Sequence, residues 1–164
     1  MAKSKIRKAT FSDIPVLCEL LREAYTRSRF RGASSFSEAR TKAMLMNAIQ
    51  RDGGNSEGSI FFAVSDRGER DIDAFIIGII QSLYLITDKL EATDLFWYAK
   101  EGADATSAKR LLRVMHKWAA TCPNVVLLRQ GNTDAITSRE SSGRVLKGSG
   151  MRLTGNIYEK DIQR

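Results

Sequence analysis

Histidine, cysteine and proline are scarce in this chain, and each shortage removes a class of function. One histidine, His116, and two cysteines, Cys18 and Cys122, stand in 164 residues. They leave no spacing that reads as a zinc site or a CxxC redox pair, so no metal is expected. Unpaired cysteine most often behaves as a small buried hydrophobe, and two such thiols agree with a reducing, cytoplasmic setting. Two prolines and the lack of any long polar tract argue against extended disorder. The longest apolar run, Ala74 to Ile80, is too short to cross a bilayer. The basic start MAKSKIRKATF is not followed by the apolar stretch of a secretory leader. Neither secretion nor a membrane partner is expected.

What is present fits one α/β domain over residues 1–164. Apolar residues make up 43% and charged residues 27%, near the averages for globular chains. The net charge is +7, and from Ala103 to the end there are 11 Lys or Arg against 5 Asp or Glu. A field of that sign favours a phosphate-bearing partner, whether a nucleotide cofactor or a nucleic acid.

The periodicities give an order of elements. Lys5 to Thr10 reads as a short strand, and Ser12, Asp13 and Pro15 open a helix whose core stripe is Ile14, Leu17, Cys18, Leu21, Ala24 and Tyr25. Ser35 and Glu38 form a capping box for a second helix with Ala39, Ala43, Met46 and Ile49 on its apolar face. Strands follow at Ile60 to Val64, at Ile72 to Leu85 with a bend or bulge at Gly78, and at Leu95 to Ala99. Asp104 or a neighbour caps a third helix, with Leu111, Leu112, Met115, Trp118 and Ala119 inward and Lys109, Arg110, Arg113 and Lys117 outward. Val125 to Leu128 reads as a buried strand parallel to the one before it, Ser138 to Lys147 as a weaker helix, and Met151 to Ile162 as a last strand.

That order, and the wording of four segments, resembles the GNAT family of acyl-CoA N-acyltransferases. The segments are IRKATFSDIPVLCELL, IFFAVSDRGERDIDAFIIGII, DLFWYAKEG with SAKRLLRVMHKWA, and VLKGSGMRLTGNIYEKDI. The RSRF stretch and the Ser35-Phe36 pair look like a subgroup common in phage genomes. The resemblance implies the GNAT fold, a mixed central sheet flanked by helices, and acetyl-CoA or coenzyme A as cofactor. The family's pyrophosphate site is the N-terminal turn of the third helix, where unpaired N–H groups and the helix dipole favour anions. On this chain that implies contacts from Ala105, Thr106, Ser107, Ala108 and Lys109, with the pantetheine running beside Tyr98, Ala99 and Lys100. The family's Arg or Gln and two small residues match Ala103, Thr106 and Ala108. Thr106 stands where glycine is usual, and its side chain either crowds the pyrophosphate or donates to it.

The family's strand carboxylate matches Asp94, as a base acting through water or as a surface carboxylate flanking a strand. Its last-helix tyrosine, an acid for the leaving thiolate, matches Leu146. Ser138 takes the place of an asparagine that touches the pantetheine, or caps the helix. Tyr25, Arg29 and Phe30 lie where the family receives its acceptor, an amine on a small molecule or a protein. Trp97 and Tyr98 alternate, so one is expected in the core and one on the cofactor side. His116, beside Lys117 on the outer face, takes no catalytic part.

Three functions are therefore weighed. The first is acetyl transfer to an amine. The second is a degenerate scaffold serving as a binding or phage structural protein, in the host cytoplasm or the virion. The third is nucleic-acid binding through the basic helix face, which lacks the zinc, RNP or aromatic-basic motifs that usually accompany it.

Overall fold

The computed structural model describes residues 4–104, 106–131 and 139–160, with the side chain of Arg139 left aside. Five strands form one sheet in chain order: β1 Lys5–Lys8, β2 Ile60–Asp66, β3 Ile72–Ser82, β4 Leu90–Ala99 and β5 Val125–Arg129. The first four pair antiparallel, and β5 runs parallel to β4. Helices α1 Ile14–Arg27 and α2 Glu38–Gln50 precede β2, α3 Ser107–Ala119 crosses from β4 to β5, and α4 Arg139–Lys147 follows.

The sheet has a core on each face, because alternate residues of β2 and β3 are apolar on both sides. Phe62, Val64, Phe75 and Ile77 pack with Leu17, Leu21 and Leu45 from α1 and α2. Phe61, Ala63, Ala74 and Ile76 pack with Leu111, Leu112 and Met115 of α3 and Leu146 of α4. Such double coverage makes a strand read as a continuous apolar run whatever its direction. The same rule misreads β5, whose Val126 and Leu127 are 58% and 39% exposed. That strand is parallel as expected, but it is the sheet edge and not a buried strand.

Local chemistry moves several boundaries. β1 stops at Lys8, and two residues on Thr10 gives both its N–H and its hydroxyl to Asp13 Oδ2, at 2.8 and 2.9 Å. Asp13, fully buried, also takes Arg7 at 2.7 and 2.9 Å. The cap of α2 is Ser37, not Ser35; its Oγ accepts the Arg40 N–H at 3.3 Å. β3 ends at Ser82 rather than Leu85, since Tyr84 and Leu85 take φ of 54° and 58°, outside any strand. Arg110, expected outward, is half-buried and donates to the Ser4 carbonyl at 2.6 Å. The last strand is absent among the described residues, with 161–162 lying outside them: residues 151–160 have no strand pairing, and Leu153, Ile157 and Tyr158 are exposed. Thr154-Gly155-Asn156 interrupts the alternation, which leaves too little apolar surface to hold that segment against an edge.

Gly78 is where α3 comes closest to the sheet. A Cβ there would lie 2.8 Å from Met115 Cε and 3.1 Å from its Sδ. Gly78→Ala should therefore cost about 1–3 kcal/mol in denaturant unfolding. The cost should shrink when Met115→Ala is made first, and equal costs in both backgrounds would show that the contact is not the reason for the glycine.

Candidate active site

Between β3 and β4 the register slips by one residue: Ile77 faces Phe96 and Gly78 faces Asp94, leaving Leu95 as a bulge. β5 pairs with β4 only from Leu90 to Thr93. Beyond Thr93 the two parallel strands part, and among the described residues the outer edge of β4 from Asp94 to Ala99 has no strand partner. A cleft of about 990 Å³ opens at this fork. Its floor is Thr93 and Asp94, one wall is Arg129 to Gly131, and the others are α4 and the C-terminal segment.

Asp94 sits at the apex, half-buried within the strand rather than beside it, and its Oδ1 accepts the Gly131 N–H at 3.0 Å. Burial lifts its carboxyl above the ordinary aspartate range, and the bond from Gly131 holds part of that rise back. Arg129 is fixed beneath by buried Glu91, which accepts from it at 3.2 Å and from Gln81 at 2.8 Å. Sequence reading missed Arg129 because it took the strand as a buried apolar run ending at Leu128. The only available signal was the polar Arg129-Gln130-Gly131 step directly after it.

The acceptor residues divide. Arg29 lines the cleft, pairs with Glu159 and lies over the Phe30 ring at 4.9 Å. Phe30 is exposed, and Tyr25 is a strut whose hydroxyl donates to the carbonyls of Ser34 at 2.6 Å and Arg31 at 3.2 Å. Neither Tyr25 nor Phe30 is part of the cleft wall.

The cofactor positions also divide. The Tyr98 side chain is buried in the core under α1 and donates to Glu23 Oε1 at 2.7 Å; burial and that carboxylate push its pKa up to about 12. Trp97 packs against the α3 core with Nε1 buried and unpaired. Both aromatics thus serve the two cores, and neither stands open on a cofactor side. Lys100 is tied to Asp71 at 3.0 Å, and its N–H goes to the Asp73 carbonyl at 2.9 Å. Ala105 and Ser138 lie outside the described residues. Ser107 is fully buried, 3.1 and 2.8 Å from the hydroxyls of Ser4 and Ser65. Ala108 is half-buried and Lys109 exposed.

Two carboxylates occupy the start of α3. Asp104 Oδ1 accepts both the N–H and the hydroxyl of Thr106, at 2.8 and 2.9 Å, and these bonds hold its carboxyl below the usual range. Buried Asp73 accepts the Asp104 N–H at 3.0 Å, while its Oδ1 has no partner. The Ser107 N–H is taken by the Asp104 carbonyl at 2.9 Å. Among the described residues there is no group of three His, Cys, Asp or Glu able to hold a metal ion, and no helix long and apolar enough to cross a membrane.

A raised carboxyl in the folded state binds more protons than in the unfolded chain, so its contribution to stability is greatest below the ordinary aspartate pKa and is lost as pH rises through the folded value. Asp94→Asn should accordingly raise the thermal midpoint at neutral pH and lose that advantage in acid. A variant stabilised only in acid would contradict the burial of this carboxylate.

No protein-family profile matches the chain, and no curated protein matches it by sequence. Solved structures do. A transcriptional regulator from Bacillus halodurans C-125 superposes with a TM-score of 0.72 at 13% identity, over 97% of this chain and 99% of that one. Glucosamine-6-phosphate N-acetyltransferase from Arabidopsis thaliana gives 0.69 at 12% identity, over 98% and 99%. An aminoglycoside acetyltransferase from an uncultured soil metagenomic sample, solved with sisomicin, gives 0.66 at 10% identity, over 98% and 96%. The mixed five-stranded sheet flanked by helices is the fold of the GNAT acetyltransferases.

Proposed function

We propose that the protein transfers an acyl group, most simply acetyl, from an acyl-CoA thioester to an amine on a small molecule or a protein, with Asp94 as general base. The observation that carries this reading is one half-buried carboxylate at the apex of a forked parallel pair, on the floor of a cleft large enough for both substrates. The thioester supplies the activated carbonyl carbon when it is bound. What remains for the chain is to hold the donor extended, place the amine and take its proton. The free edge of β4 suits an amide-bearing arm, and the bond from Gly131 fixes the carboxylate whose burial raises its basicity. Arg29, across the cleft, is the one expected acceptor residue in reach of that space.

The phosphate end of coenzyme A fits less well. At the helix start the N–H of Thr106 is spent on Asp104, and an ionised carboxylate stands where a pyrophosphate would need a positive field. Leu146, at the position of the family's tyrosine, is buried in the α3 core and offers no proton. These two observations favour a second reading, in which the scaffold has kept its shape and lost the chemistry.

Two measurements separate the readings. Asp94→Asn should lower kcat near neutral pH by about a hundredfold or more while KM changes little. Unchanged turnover across pH would remove Asp94 from the mechanism. In calorimetry, Asp104→Asn should tighten coenzyme A binding about tenfold, by removing a like charge from the phosphates. If neither the parent protein nor this variant binds coenzyme A, the second reading holds.

A further inference from the structure

Nearly all the excess charge of the chain is gathered on one helical layer. α3 and α4 together hold seven Lys or Arg and a single Glu, within a chain whose net charge is +7. Lys109, Arg113, Lys117, Arg144 and Lys147 are exposed. Among the described residues none of these five forms an ion pair.

The opposite layer is built otherwise. α1 and α2 carry four cations and three carboxylates. Arg22 pairs with Glu38 at 2.7 Å and Glu19 at 3.6 Å, Arg27 with Glu23 at 3.5 Å, and Lys42 with Glu38 at 2.5 Å. One face of the sheet is thus neutralised within itself, while the other is left charged. Unshielded like charges repel one another, so a face of this kind is stabilised by a polyanion laid across it.

The geometry narrows the partner. Lys109, Arg113 and Lys117 follow one another at four-residue intervals, about 6 Å apart along the axis, which is a row and not a pocket. The apolar side chains Leu111, Leu112, Met115 and Leu146 are all turned into the core, and Val114, Trp118 and Val145 are half-buried, so this layer presents no fully exposed large apolar side chain to a lipid surface. Its nearby carboxylates are Glu140 on α4 and Asp104 ahead of α3, the latter held to Thr106. We propose that the α3–α4 layer is a docking face for the phosphate backbone of duplex nucleic acid, read by charge and not by base sequence. This inference does not rest on acyl transfer, although Arg144 and Lys147 also line the cleft of Asp94.

The test is fluorescence anisotropy with a labelled DNA duplex between roughly 50 and 200 mM salt. Three to five engaged cations should give a slope of log K against log salt of roughly −3 to −4.5. The triple variant K109E/R113E/K117E should bind more than tenfold more weakly and lose about 2.7 of that slope. A neutral triple, K109Q/R113Q/K117Q, should show most of the same loss with an unchanged thermal midpoint. The charge-matched triple R31E/R40E/R70E, on exposed positions away from this layer, should stay within about threefold of the parent. Equal losses in the two Glu triples would reduce the effect to net charge and overturn the proposal. So would the absence of duplex binding at low salt, or anionic phospholipid vesicles binding as tightly as the duplex.

Discussion

The loss of pairing between β4 and β5 after Thr93 is the constraint on which the rest of the site depends. A parallel pair joined by a crossover helix would ordinarily remain in register along its length. Here β5 ends at Arg129, opposite Thr93, and two residues further along β4 the bulge at Leu95 adds the local right-handed twist that bulges bring. Gly78, with no side chain, lets Met115 of the joining helix lie directly on the sheet. One polar link, from the Gly131 N–H to Asp94, closes the fork at its apex. The carboxylate at the floor and the free edge along the side are placed by that separation, with Arg129 on the wall beside them.

Carboxylates are used in three different ways in this fold. Asp13 is buried and ionised because Arg7 and Thr10 outweigh the cost of its burial. Asp94 is buried with few compensating bonds, so its proton is held more firmly. Asp104 is open to solvent and satisfies the helix start that a phosphate would otherwise use. What each acid can do therefore turns on whether it has a cation beside it, as Asp13 has, or little more than a backbone N–H, as Asp94 has.

Much of the architecture was legible because helical periodicity is a strong signal. Of the stripe Leu111, Leu112, Met115, Trp118 and Ala119 read from the sequence, all but the half-buried Trp118 are fully packed, and the register does slip at Gly78 as anticipated, although the extra residue is Leu95 on the facing strand. The candidate site was less legible, since its residues are set by contacts across the chain. Ser107 lies in a helix-start pattern that suggests a phosphate contact, yet its hydroxyl is buried against Ser4 and Ser65. Tyr98 was read as a neighbour of the pantetheine along the strand; its ring is sent beneath α1 by the register of β4. The continuously apolar β5 failed for the opposite reason: composition records how apolar a segment is, and not whether anything lies beyond it. The charge asymmetry between helical layers was visible only as a C-terminal excess until the fold set α3 and α4 over the same face of the sheet.

The small polar knot around Ser4 has a consequence for how the chain assembles itself. Ser4 Oγ meets Ser107 across 103 residues of sequence, and its carbonyl takes Arg110 across 106. β1 itself pairs with residues of β2 almost sixty positions later. During synthesis β1 thus leaves the ribosome long before its partners, and its contacts with α3 must wait until about a hundred further residues have been made. Loop closure over such distances is slow, and the element made first becomes one of the last to be locked in place.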